Sequence, residues 1–189
     1  MNEAGAARTA PAGPLQLPIA DCNVLCDGLG LATDLDCAMR AIDAARRAWL
    51  GVGLLTVNLN LTAPQADDQG FELQRAWSSD PAAYPVAGRK RKALTPWALA
   101  LLGRGEVFVG EGPAALAAVF DVHARIAALG LQSVVNVPLL RAGRTVATFN
   151  LLGPRAQWAP HEVPTIRLLA ALARPWIVEA GTGREGAIC

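Results

Sequence analysis

The chain of 189 residues has little of what most chemistry-bearing sites are made from. It has two histidines, one tyrosine, two methionines and four cysteines, and aromatic residues make up 5% of it. Three of the cysteines, Cys22, Cys26 and Cys37, fall before residue 38, and the fourth is Cys189. The C-x3-C spacing at Cys22 and Cys26 has no matching His or Cys pair downstream, so ordinary reduced thiols are expected and no metal or other cofactor. Charge of one sign is also lacking. Lys and Arg number 17 against 16 Asp and Glu, for a net charge of +1, which argues against nonspecific binding to nucleic acid or anionic membrane. Despite a hydrophobic fraction of 52%, no run approaches the roughly 18 apolar residues of a membrane span. No cationic start leads into an apolar core at the N-terminus, so no signal peptide is expected. A cytoplasmic protein is the expectation.

What the chain does have is patterning. Residues 1–32 read as a flexible N-terminal arm, with Met1–Pro18 rich in Ala, Gly and Pro and without apolar period. The spacing predicts a helix over Thr33–Leu50, capped by Thr33, with Leu35, Met39, Ile42, Ala45 and Trp49 on one face. Leu54–Leu61 alternates with period two, Pro64–Gly70 is a polar turn and Phe71–Ser78 its hairpin partner. A short helix follows from Pro96 to about Leu102, then a strand over Glu106–Gly110. Another helix is expected from Pro113 to about Leu129, carrying Leu116, Val119, Phe120, His123 and Ile126 on one stripe.

Leu131–Leu140 and Thr145–Leu152 form the clearest hairpin, turning at Arg141–Arg144 and apolar on both faces. A last helix runs from Pro160 or Pro164 to Glu179, with Pro175 expected to kink or end it. Residues 181–189 read as a flexible tail. Strands joined mostly by hairpins imply an α/β (α+β) domain over residues 33–180. Its central antiparallel sheet has five to six strands, with helices on both faces.

The most distinctive stretch is Arg75–Trp97, RAWSSDPAAYPVAGRKRKALTPW. Its cationic run Arg89–Lys92 lies just upstream of a helix start, with Thr95 as N-cap and Pro96 at the first helical position. Cations beside free N–H groups invite an anion; a solvated basic loop is the plainer alternative. Arg89 and Lys90 are the candidates to hold a carboxylate or phosphate, with Arg91 and Lys92 left in solvent. Tyr84 and Trp97 supply rings for a pocket wall, although a Trp one residue into its helix also suits a core.

His123, on its apolar stripe, is either a hydrogen-bonded structural histidine or a weak catalytic candidate. Asn136 and Asn150 sit among apolar residues and need partners, from a ligand or from backbone. With Ala142-Gly143 as a two-residue turn, Asn136 faces Phe149 and Val135 faces Asn150. That register puts the two asparagines on opposite sheet faces. Ser78 and Ser79 have no visible base to make either a nucleophile.

The pieces SSDPAAYPVAGRK, TPW, FVGEGP, FDVHARIAALG, SVVNVP and TFNLL, taken in order, resemble a GAF domain. The central stretch is most similar to small stand-alone bacterial members. The resemblance implies a GAF/PAS-like sheet with one face on the N- and C-terminal helices, often a dimer interface. The other face would hold a small-molecule pocket, roofed here by Tyr84–Leu102 and Pro113–Leu129. GAF proteins that reduce free methionine sulfoxide use cysteines near the pocket, and phytochromes attach a pigment to one. No cysteine lies between Cys37 and Cys189, so neither chemistry is implied.

The leading expectation is a ligand-binding sensory or regulatory subunit, a homodimer on the first and last helices, with Trp49, Trp176 and Ile177 as surplus apolar surface. Output would pass through a protein partner, since the segments flanking the domain are too short for a second one. The alternative is an enzyme that hydrolyses or isomerises a small polar compound with His123, Arg89 and Lys90. A purely structural dimerisation module is the third reading.

Overall fold

Helix α2 (Leu35–Leu50) begins one residue later than expected, because Asp34 rather than Thr33 is its N-cap: the Asp34 carboxylate accepts from Cys37 N at 2.8 Å. Its apolar face buries Met39, Ile42 and Ala45. The computed structural model describes residues 17–63 and 70–185. The first sixteen residues of the expected arm, the turn after residue 63, and Cys189 with the end of the tail lie outside the described residues.

Residues 19–30, placed in the arm by their sequence, form helix α1 (Ile19–Gly30). The helix lacks a side-chain cap and a clean apolar stripe, and Leu25 is its one buried residue, so little in its sequence announces it. It packs on α2 where a Cβ at Gly28 would come within 2.9 Å of the Ala41 Cβ.

The strands are β1 (Leu54–Asn60), β2 (Phe71–Ser78), β3 (Arg89–Lys92), β4 (Phe108–Glu111), β5 (Ser133–Arg141) and β6 (Arg144–Gly153). They form one antiparallel sheet in the order β3-β2-β1-β6-β5-β4. The fold is therefore α+β with six strands. One strand was not foreseen: the run Arg89–Lys92 is an edge strand on β2 rather than a loop. Cationic side chains suit an edge, where they discourage pairing with another chain.

Helix α6 (Glu162–Glu185) passes through Pro175 and continues beyond the expected end at Glu179. Together α1, α2 and α6 cover one sheet face, closing a core of Leu55, Val57, Phe149 and Leu151 with Ile42 and Leu169. Ile177 is fully buried in that core, and Trp49 and Trp176 are half-buried. On these helices the exposed large apolar side chains are instead Ile19 and Val24 of α1 and Leu168 and Leu172 of α6, with Leu31 just after α1. Among the described residues no helix is long and apolar enough to cross a membrane.

The opposite face carries short helices. Helix α3 (Pro96–Ala98) starts as expected, with Thr95 Oγ1 accepting from Ala98 N at 3.2 Å, and continues as a π-helical turn over Leu99–Gly103. The expected helix over Pro113–Leu129 is two: α4 (Gly112–Val119) and α5 (His123–Ala128). Phe120 breaks it by adopting an extended backbone, φ −123° and ψ 116°.

Two β-bulges set which side chains face these helices. In the β5–β6 hairpin the turn residues Ala142 and Gly143 both have positive φ, 48° and 78°, the conformation of a type I′ turn. Leu140 pairs with Thr145 but Leu139 pairs with Ala147, so Val146 is extra and the register slips by one. Asn136 consequently lies opposite Asn150, not Phe149. In β2, Trp77 pairs with Val57 and Arg75 with Asn58, which leaves Ala76 as the extra residue. The bulge sends Trp77 to the α2 side, where its Nε1 donates to Asp36 at 2.9 Å, and Arg75 to the other face.

Candidate functional site

Across β5, β6 and β1 runs a row of buried polar side chains on the face away from α2 and α6. Asn136 Nδ2 donates to Asn150 Oδ1 at 2.8 Å. Asn150 Nδ2 in turn reaches Thr148 Oγ1 at 3.1 Å and the Thr56 carbonyl at 3.3 Å. The Trp97 indole N–H donates to Asn136 Oδ1 at 3.3 Å. The Asn and Thr side chains in this row are at most 6% exposed.

This row is the floor of a cavity of about 90 Å³. One water needs about 10–15 Å³ by such a measure, so the space suits a compact ligand. The Trp97 ring stands edge-on to Phe120 at 5.4 Å and to Phe108 at 6.4 Å, closing one end. The extended backbone that breaks α4 from α5 leaves Phe120 in that cluster. Tyr84 closes the roof, packed with Leu116, Ile126 and Val134.

The side formed by β2 and β3 is cationic. Arg75, Lys90 and Lys92 all line the cavity, and its lining includes no Asp, Glu, His or Cys. Strand periodicity puts Lys90 and Lys92 on one face of β3 and Arg89 and Arg91 on the other. Arg75 Nη1 donates to the Pro85 carbonyl at 2.9 Å, and its guanidinium lies 4.9 Å from the Tyr84 ring centre. Arg125 approaches the same ring at 5.6 Å and donates to the Ala83 carbonyl. Lys92 stands over the Trp97 ring at 5.8 Å and faces Asp121 at 3.7 Å.

The electrostatics follow from that crowding. Partial desolvation holds the Lys90 ammonium below its ordinary pKa, reinforced by Arg75, Lys92 and Arg125 and opposed by Asp121. Burial pushes the Tyr84 phenol above its ordinary value, against the pull of Arg125 and Arg75. Among the described residues its buried hydroxyl has no hydrogen-bond partner, nor has Arg75 Nε.

Of the residues expected at a site, Tyr84, Lys90, Trp97, Asn136 and Asn150 meet at this cavity. Arg89 does not: it points to the other side of the sheet and pairs with Glu72 at 3.2 Å. Thr95 is exposed and serves as the cap of α3. His123 opens α5, is exposed, and its Nδ1 lies 3.0 Å from the Phe120 carbonyl; it lines no part of the cavity. Lys92, expected in solvent, is three-quarters or more buried at its side chain, which is 20% exposed. Arg75 was missed, because its facing depends on the bulge at Ala76.

Among the described residues no group of three or more His, Cys, Asp and Glu is arranged to hold a metal ion. Cys22, Cys26 and Cys37 are free thiols on α1 and α2, across the sheet from the cavity.

No family model matches the chain, and no curated protein matches it. Solved structures do. The GAF domain of a phosphoenolpyruvate-protein phosphotransferase from Coxiella burnetii superposes with a TM-score of 0.61 at 14% identity, over 90% of this chain and 96% of that one. A methyl-accepting chemotaxis protein, residues 122 to 287, gives 0.59 at 17% identity, over 85% and 97%. The free methionine-R-sulfoxide reductase of Neisseria meningitidis, solved with its substrate, gives 0.59 at 17% identity, over 87% and 91%. Identities this low speak to architecture alone, and the architecture they share with this chain is the GAF-domain fold.

Proposed function

We propose that the protein is a small-molecule-binding sensory or regulatory GAF module whose pocket takes a compact carboxylate-bearing ligand. The observation that carries this reading is the composition of one cavity. Arg75, Lys90 and Lys92 line it from β2 and β3, no acidic residue lines it, and a row of amides and hydroxyls forms its floor. A carboxylate there would gain charge-assisted hydrogen bonds, each of about 1.5–3 kcal/mol. The rings of Tyr84, Trp97 and Phe120 would cover an apolar remainder. Binding rather than hydrolysis or isomerisation is favoured, because of the three groups an enzyme would have used, His123, Arg89 and Lys90, only Lys90 lines the cavity.

The signal would pass to a protein partner, and a second copy of the chain would pack on the outer faces of α1 and α6, where Ile19, Val24, Leu168 and Leu172 are exposed.

A thermal-shift screen of small carboxylic acids against their neutral amides, on wild type and Lys90→Met, tests the reading. Acids should raise the melting temperature of wild type, amides should not, and the variant should lose most of the response. Equal stabilisation by acids and amides would overturn it.

A further inference from the structure

The whole chain carries a net charge of +1, yet its cations are unevenly placed. Lys90 sits within the electrostatic reach of Arg75, Lys92 and Arg125, with Asp121 the acid in that set. Arg75 and Arg125 flank a single ring, Tyr84, and Lys92 sits on the neighbouring ring of Trp97. Lys92 has a partner in Asp121, itself 97% exposed. Arg89 is neutralised by Glu72 on the far side of the sheet. Arg75 and Lys90 form no ion pair among the described residues, and both line the cavity.

Like charges held together raise the energy of the free protein, and one negative charge offsets only part of that repulsion. From this cluster we infer that the ligand is a dianion, a small dicarboxylate or a phosphomonoester, with its charges shared between Arg75 and Lys90. The inference rests on the anion-binding reading of the same cavity and goes further in fixing the ligand's charge. The buried Tyr84 hydroxyl, lacking a partner, supplies a donor beside the two cations, and the Asn136–Asn150 floor receives the neutral end. Arg125, exposed and stacked on Tyr84, adds to the field without entering the cavity lining.

Matched pairs of probes separate charge from shape: succinate against its half-amide succinamate, and ethyl phosphate against diethyl phosphate. Calorimetric titration at low salt on the full chain should give a dissociation constant about tenfold or more lower for the dianion in at least one pair. Which pair responds identifies a dicarboxylate or a phosphomonoester. Lys90→Met, at an exposed edge position where folding should persist, should reduce that preference to about threefold or less, and Arg125→Met, which removes a charge outside the cavity lining, should reduce it by less. Equal affinity within both pairs would overturn the dianion while leaving an anion pocket standing. Absence of binding by all four probes would overturn both. A preference unchanged in Lys90→Met would place its origin elsewhere and overturn the assignment.

Discussion

Asn136 and Asn150 are joined amide to amide across β5 and β6 at 2.8 Å, although the turn between their strands would set them on opposite faces. The residue that brings them together is Val146, ten positions from Asn136 and in contact with neither in the ladder. With the bulge, the floor of the pocket is polar over three strands; without it, Phe149 would face Asn136. The Asn150→Ala variant should therefore lose about 1–3 kcal/mol, since the buried Asn136 and Thr148 are left underpaired. Urea denaturation of Asn136→Ala, Asn150→Ala and the double variant should show strong non-additivity. Additive losses would mean that the amides act separately.

The turn that closes the same hairpin is suboptimal. Ala142 has φ 48° with a side chain that gains nothing there, whereas Asn is favoured at the first position of a type I′ turn. Ala142→Asn, at an exposed site, should stabilise the protein by about 0.5–1 kcal/mol. Thermal unfolding checks this, with ligand affinity expected to stay unchanged.

Much of the fold was legible from periodicity. Phe71–Ser78 matches β2 at both ends, and the hairpin turn at Ala142-Gly143 was read correctly. What escaped were the interruptions. A bulge has no composition of its own, so neither the meeting of Asn136 with Asn150 nor the facing of Arg75 could be read from alternation. The cationic run reads as a loop in sequence because four charges do not resemble a strand. As an edge strand it divides by parity, sending Lys90 and Lys92 to the pocket and Arg89 to Glu72. His123 was misplaced for a similar reason, since the apolar stripe continued through Phe120 where the helix does not.

Tyr84 separates stability from binding. Its hydroxyl is buried and unpaired, so Tyr84→Phe should raise the stability of the free protein by about 1–3 kcal/mol while keeping the ring between Arg75 and Arg125. The same change should weaken anion binding severalfold. Chemical denaturation and calorimetry on one preparation measure both. A loss of stability would show that the hydroxyl already has a structural role.

Lys90 gives a pH signature. Its folded-state pKa lies below the ordinary lysine value, so at neutral pH the unfolded chain holds that proton more readily than the folded one. The penalty is present below the lowered pKa and is relieved as pH rises through it toward the unfolded value. Wild type should therefore gain stability relative to Lys90→Met as the pH rises toward the ordinary lysine value of 10.5. The gain should be small, because the lysine is partly in solvent. Parallel melting curves for the two proteins across that range check the sign, and a relative loss would contradict it.

The chain has five tryptophans, and Trp97 is the one that lines the pocket. Its indole N–H is hydrogen-bonded to the Asn136 amide, so it reports on the floor and the wall at once. A nitrogen–proton correlation spectrum of the ¹⁵N-labelled protein, titrated with succinate and separately with ethyl phosphate and assigned by Trp97→Phe, therefore addresses the pocket directly, the dianion that binds being the one expected to act. The account predicts that the Trp97 indole resonance shifts and saturates while those of Trp49, Trp77, Trp158 and Trp176 stay in place. A saturating shift at another indole with Trp97 unmoved would contradict it.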